Sequence, residues 1–161
     1  MKFHLILLLA ASAFGAQPFA AGKEYYLAGE FRKAATYFQS ACVTDNDAEA
    51  CYWAGLAHEK MADISVPFGC RANHRAHDLL LKATQLNPKQ LEYRRAFFEF
   101  LLNSADCSRT ALREAAGMLV EMPESDPDYL EMSHRLEVEK RVKPSVEERL
   151  AKLILAAPRT I

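Results

Sequence analysis

The chain has little glycine, six residues in 161, and no excess of charge of either sign, since 20 Lys and Arg stand against 21 Asp and Glu. Scarce glycine, with abundant Ala, Leu, Glu, Arg and Lys, favours helices over a sheet. The balanced charge gives no electrostatic reason to expect a nucleic-acid partner. Half of the residues are hydrophobic, which argues against disorder, and the length suits one domain with a substantial core.

The sequence also lacks the short motifs of common catalytic sites. It contains no S-x-x-K, no G-x-S-x-G and no phosphate-binding glycine loop. His58 and Glu59 begin like a zinc-protease helix, but Ala62 occupies the position of the second histidine. We therefore interpret His58 as a packed or hydrogen-bonded aromatic side chain, and we predict that the chain is not an enzyme and needs no cofactor.

Residues 1–16 have the pattern of a secretory signal peptide. Lys2 supplies the positive start, and an apolar stretch and small residues follow it. The apolar stretch is short for a permanent membrane span, which needs about 20 residues. We predict cleavage, a mature domain at 17–161 with no stable membrane span, and a periplasmic or secreted location. The alternative is a buried N-terminal helix.

Four cysteines, Cys42, Cys51, Cys70 and Cys107, all lie in the predicted mature part. An even number of cysteines in an exported protein indicates two disulfides, for which three pairings exist.

Two successive segments, 18–47 and 48–88, each read as a pair of helices joined by a turn. An insertion at 65–71 separates the two helices of the second pair, and we place the start of its second helix near Asn73. Small and aromatic residues occupy related positions in the two segments: Gly22, Tyr25, Gly29, Phe31, Ala34, Phe38 and Ala41, then Gly55, Ala57, His58, Ala76, Ala83 and Pro88. This pattern resembles the tetratricopeptide repeat, which implies a scaffold of stacked helical hairpins.

A third segment, 89–122, has a weaker form of the same pattern. Its apolar residues have helical spacing in a first helix (Tyr93, Ala96, Phe97, Phe100, Leu101) and in a second from about Ser108 (Ala111, Leu112, Ala115, Leu119, Val120). The region 123–161 has two short apolar stripes: Tyr129, Leu130 and Leu136, then Val146, Leu150, Leu153 and Ile154. We predict an all-α, tetratricopeptide-like solenoid of about three repeats, with 123–161 capping its end.

Stacked helical hairpins imply a disulfide pairing. Cys42 and Cys51 flank the short turn between two repeats, and Cys70 and Cys107 lie in equivalent turns of repeats two and three, so we predict Cys42–Cys51 and Cys70–Cys107. Residues 41–53 also resemble the cysteine pair of Sel1-like proteins, some of which are associated with cell-wall fragments. A metal site using Cys70, His74 and His77 is an alternative, although surface histidines are favoured over a metal site.

The resemblance to tetratricopeptide repeats implies a binding groove on the concave side, lined by the first helix of each repeat. By the family's register, the groove residues are Lys23, Tyr26, Tyr52, Leu56, Glu59, Arg94 and Phe98. Aromatic rings with a few charges suit a protein or peptide partner. For Tyr52 and Phe98, core packing is an equal alternative. We predict a non-catalytic interaction scaffold; recognition of cell-wall fragments, or metal binding, is the alternative.

Overall fold

The computed structural model describes residues 17–64, 69–108, 110–126 and 128–142, and these ranges contain seven α-helices and no strand. The helices are α1 (Gln17–Leu27), α2 (Phe31–Thr44), α3 (Ala48–Ile64), α4 (Gly69–Leu86), α5 (Leu91–Asn103), α6 (Ala111–Val120) and α7 (Tyr129–Val142). The described part is thus all-helical, as the composition predicts. The predicted signal peptide and the predicted last helix around Leu150 lie outside these residues.

The start of α4 differs from the sequence prediction. The helix begins at Gly69, not near Asn73, so Cys70 lies in the first helical turn and not in an inserted loop. The sequence from Cys70 to Ala72 contains no helix breaker, and the disulfide to Cys107 holds this turn against the end of α5. The predicted insertion is therefore shorter than the sequence suggested. Likewise, α6 begins at Ala111, later than Ser108, and Thr110 still lies in a turn.

Each helix packs against the next along the chain, and side chains also link alternate helices. Rings of Tyr26 and Trp53 join α1 to α3, and rings of Tyr52 and Tyr93 join α3 to α5. A salt bridge from Arg94 on α5 reaches Asp126, just before α7. The odd-numbered helices are therefore neighbours in the order α1, α3, α5 and α7.

The even-numbered helices make a second series of contacts. The Nζ of Lys82 on α4 donates to the backbone oxygen of Cys42 on α2 at 2.9 Å. His77 on α4 contacts Glu114 on α6, with its Nε2 3.0 Å from both carboxylate oxygens. Together with the odd-numbered series, these contacts arrange the described helices in two layers.

Two glycines allow the paired helices to approach closely. A Cβ on Gly22 would lie 2.6 Å from Cζ of Phe38, and one on Gly55 would lie 2.6 Å from Cγ of Leu80. These distances are below van der Waals contact, so α1–α2 and α3–α4 depend on the missing side chains. Gly29, in the turn between α1 and α2, has φ of +77°, a conformation that glycine adopts readily.

No helix in the described ranges is both long and apolar enough to cross a membrane. The core between the two layers combines many alanines with large aromatic residues, including Phe38, Phe97, Phe98 and Phe100. On α7, Met132 and Leu136 are buried, whereas Leu130, expected in the apolar stripe, is 74% exposed. The stripe on α7 therefore runs through Met132.

Candidate partner-binding face and adjoining cavity

All seven predicted groove residues lie on α1, α3 and α5, which are neighbours in one layer. Five of them are partly exposed: Lys23, Tyr26, Leu56, Glu59 and Arg94. We call these five the odd-helix face. Tyr52 and Phe98 are 7% and 0% exposed, so their side chains pack in the core. The structure thus brings the predicted residues to one layer but leaves two of them inaccessible to a partner.

Lys23 is held at one end of the odd-helix face. Its Nζ lies 2.7 Å from Oε1 of Glu49 and 5.1 Å from the centroid of the Trp53 ring. The hydrogen bond from Lys23 lowers the pKa of Glu49, while burial opposes that change. The lysine therefore joins α1 to α3 by a charge pair and by a contact between its ammonium and the indole ring.

Tyr26 lies next to this pair and is fixed by other rings. Its centroid lies 5.4 Å from those of Phe31 and Trp53, in edge-to-face arrangements. Burial raises the pKa of Tyr26, and the charges of Glu59, Lys60 and Asp63 also act on it. Tyr26 on α1 therefore lies close to the charged C-terminal part of α3.

Tyr52 belongs to the core side of this layer. Its ring stacks on Tyr93 with centroids 4.8 Å apart, and its hydroxyl donates to Oε1 of Glu92 at 3.0 Å. Burial and the hydrogen bond to Glu92 raise the pKa of Tyr52 strongly. The residue therefore links α3 to α5, a role consistent with the core alternative.

Two carboxylates, Glu59 on α3 and Glu99 on α5, are half-buried in the same layer. Burial raises the pKa of each one. The charge of Lys60 opposes the rise in the pKa of Glu59, and the negative charges of Asp63 and Glu99 add to it. Glu99 pairs with Arg135 of α7, which lowers its pKa, but the negative charges of Glu131 and Glu139 raise it. Glu59 is therefore the carboxylate of this pair whose charged form an additional cation would stabilise.

A charged junction lies between α5 and α7. Arg94 pairs with Asp126 at 2.7 Å, and Arg95 pairs with Asp128 through two nitrogens, its Nε at 2.7 Å from Oδ2. Asp128 is 1% exposed, and the hydrogen bond from Arg95 lowers its pKa. The sequence analysis missed this junction, because 32 and 33 positions separate the arginines from their carboxylate partners.

A cavity of about 320 Å³ lies where α4, the end of α5 and the start of α6 meet. The Cys70–Cys107 disulfide lines one side, and the His77–Glu114 contact spans α4 and α6. The Nδ1 of His77 lies 3.3 Å from Asp78, and its ring packs against Phe97 and Phe100. Glu114 is a residue of this cavity that the sequence analysis missed, because its partner lies 37 positions away.

The cysteines form two disulfides, Cys42–Cys51 and Cys70–Cys107, with Cα–Cα distances of 4.7 and 5.3 Å. These are the two pairs given by the stacked-hairpin argument. Because Cys70 is in a disulfide, its thiolate is not available to the alternative metal site. Across the ranges described, no group of three His, Cys, Asp or Glu side chains is arranged to hold a metal ion.

His58 is buried in α3, 3% exposed, with its Nε2 3.5 Å from Oε1 of Gln39. Burial lowers the pKa of His58, which favours the neutral ring. Ala62 one turn later is also buried. This environment is that of a packed aromatic side chain.

The chain matches no protein-family model, no curated protein and no solved structure.

Proposed function

We propose that this chain is an exported, tetratricopeptide-like repeat protein that binds a protein or peptide partner on its odd-helix face, without catalysis. One observation carries the proposal: direct side-chain contacts align α1, α3, α5 and α7, which gives one layer a continuous surface along four helices. Layers of this kind provide the extended binding surfaces of helical-repeat proteins. The repeat-like glycines, Gly22 and Gly55, support the same interpretation through the close approaches that they permit.

The two cations of the face, Lys23 and Arg94, already pair with Glu49 and Asp126, so the rest of the face favours a partner with basic side chains beside apolar ones. Tyr26 and Leu56 supply partly exposed apolar area, and Glu59 supplies a carboxylate whose pKa is raised by burial. A lysine or arginine of the partner would stabilise the charged form of Glu59, whereas Glu99 already pairs with Arg135. The partner we propose is therefore a basic, amphipathic segment.

Export is supported by the two disulfides, since such bonds persist outside the cytoplasm. Cys42 and Cys51 are fully buried, so their disulfide is part of the packed core and is not exposed on the surface. The signal-peptide pattern of 1–16 agrees with the disulfides. We place the protein in the periplasm or outside the cell.

Site-specific photo-crosslinking in intact cells tests the binding face. A photoreactive phenylalanine analogue at Leu56 reports on the odd-helix face, and the same analogue at Tyr37 on α2 reports on the other layer. Tyr37 is 43% exposed, so both positions can reach a partner. We expect a discrete crosslinked partner from position 56 and none from position 37.

The charge of the face is tested in the same system. With the analogue at position 56, Glu59→Gln should weaken crosslinking, and Glu24→Gln, which removes an exposed carboxylate of α1, should leave it unchanged. The same partner bands from positions 37 and 56 would refute the assignment of the face. An undiminished yield in the Glu59 variant would refute the basic partner while leaving the face in place.

A further inference from the structure

The cavity between α4, α5 and α6 lies away from the odd-helix face, because two of its three walls are even-numbered helices. Its volume of about 320 Å³ is at the lower end of the range for small-molecule sites. A second cavity, of about 280 Å³, lies at the α5–α7 junction. There Arg95 and Arg135 already pair with Asp128 and Glu99, so both cations of this lining are matched within the protein, and Glu131 adds a third carboxylate.

The charges of the first cavity are not matched in this way. Asp78 and Glu114 both contact the imidazole of His77, so two carboxylates share one titratable base. Among the described residues that line the cavity there is no lysine or arginine. When His77 is neutral, the lining residues that the structure describes therefore carry the two negative charges of Asp78 and Glu114 and no permanent positive charge.

The rest of the cavity combines apolar and hydroxyl groups. The apolar part comes from Phe100, Leu101 and Ala111. Ser108 and Thr110 lie opposite as a hydrogen-bonded pair, with their hydroxyl oxygens 3.2 Å apart. A ligand that fits this lining has an apolar body and one cationic end.

We propose that this cavity binds a small amphiphilic amine, with its ammonium group paired to Glu114 and Asp78 and its apolar body against Phe100. The amine takes the place of the protonated His77 as the cation beside Glu114. Phe97 and Phe100 hold the imidazole ring from the side of α5, so the ring stays in position when its proton is lost. No bond is made or broken; the site binds by charge and burial.

The competition with His77 makes binding pH-dependent. Among the described residues, Asp78 on α4 and Glu114 on α6 contact the imidazole, His74 on α4 also lines the cavity, and α5 packs the rings of Phe97 and Phe100 against the imidazole. Burial alone lowers the pKa of His77, but the hydrogen bonds with Glu114 and Asp78 raise it above its ordinary value overall. Amine affinity should therefore increase from about pH 6 to about pH 8, as His77 loses its proton.

Calorimetric titration of the oxidised protein with three probes tests the site. The probes are 2-phenylethylamine, 2-phenylethanol, which has nearly the same shape without the charge, and ethanolamine, which has the charge without the apolar body. We expect 2-phenylethylamine to bind at least about tenfold more tightly than either of the others. Equal affinity for the amine and the alcohol, or an affinity that does not increase with pH, would overturn the proposal.

Three variants locate the binding. Glu114→Gln should lower the affinity for 2-phenylethylamine by about tenfold. Asp78→Asn should lower this affinity by a smaller factor, because the side chain of Asp78 is 82% exposed. Glu121→Gln, at the far end of α6, is the matched control and should have no effect. Asp78 is so exposed that its variant keeps the fold even if the Glu114 variant does not. Unchanged affinity in Asp78→Asn, or an equal loss in Glu121→Gln, would rule out this cavity.

Discussion

The contact between α1 and α3 is mainly aromatic, with the Lys23–Glu49 pair beside the rings, whereas several ion pairs link α5 to α7 and to the residues just before α7. At the first, Trp53 of α3 contacts Tyr26 of α1 edge-to-face, and it also stacks on Phe38 of α2. At the second, Arg94 and Arg95 reach Asp126 and Asp128. The two contacts join equivalent helices in one layer, so the same architecture is stabilised in two chemically different ways.

This difference has consequences for stability and its dependence on conditions. Aromatic burial removes apolar surface from water and does not depend on the ionisation of carboxylates. Ion pairs depend on the ionisation of their carboxylates, and exposed pairs contribute little. We therefore expect the α1–α3 end to be the stable part of the molecule and the α5–α7 end to be the part that conditions can loosen.

The largest effect should come from the Cys70–Cys107 disulfide, which joins α4 to the end of α5 across 37 positions. Replacing both cysteines by alanine should lower the free energy of unfolding by about 4 kcal/mol, since a long loop is released in the unfolded chain. The matched Cys42–Cys51 replacement releases a loop of nine positions, for which the same relation gives about 3 kcal/mol. Urea unfolding of the two variants measures both values.

A reductant should distinguish the same two disulfides, because their cysteines differ in solvent exposure. Cys42 and Cys51 are 0% exposed, whereas Cys70 lies on the surface. Mild reduction followed by alkylation and mass spectrometry should label Cys70 and Cys107 first, and hydrogen exchange should then rise in α5–α7 before α1–α3. Simultaneous loss of both bonds, or earlier loosening of α1–α3, would contradict the comparison.

A smaller effect is expected from Trp53→Ala at the aromatic contact. The side chain packs on Tyr26, Phe38 and Tyr52, and it is partly buried. Its removal should cost about 3 kcal/mol of unfolding free energy. Leu130→Ala, at a position 74% exposed on α7, is the control and should change stability by less than about 0.5 kcal/mol. Equal losses of unfolding free energy in the two variants would contradict the proposal that aromatic packing makes the α1–α3 end the more stable one.

The same contrast explains what the sequence could predict. The all-helical class and the helix pairs of 18–88 followed from the spacing of small and aromatic residues such as Gly22, Phe38 and Gly55, because those residues decide how closely neighbouring helices pack. The disulfide pairs followed from the turns that stacked hairpins bring together. Composition and local spacing were sufficient for the helical class, whereas the disulfide pairing also needed the resemblance to stacked repeats.

The charged contacts could not be predicted in the same way. Arg95 and Asp128 lie 33 positions apart, and His77 and Glu114 lie 37 apart. In the sequence, each of these four residues is typical of a solvent-exposed helix surface. Only the packing of α5 on α7, or of α4 on α6, identifies its partner. The start of α4 was misplaced for a related reason: the disulfide partner of Cys70 was identified, but the helical conformation of its turn was not.

The smallest effect, and the most specific one, concerns Asp128. Its pKa is lowered chiefly by the hydrogen bond from Arg95, so the ion pair stabilises the fold above the unfolded-state pKa of aspartate and this contribution is lost as the pH falls through the lower, folded-state pKa. Thermal unfolding of the protein and of Asp128→Asn should therefore differ at neutral pH and converge in acid. Trp53→Ala provides the control, because its loss of stability involves no ionisation and should be the same at neutral and acid pH. A deficit of Asp128→Asn that does not change with pH would mean that α7 is held by packing at Met132 and Leu136, and the two ends of the layer would then be stabilised alike.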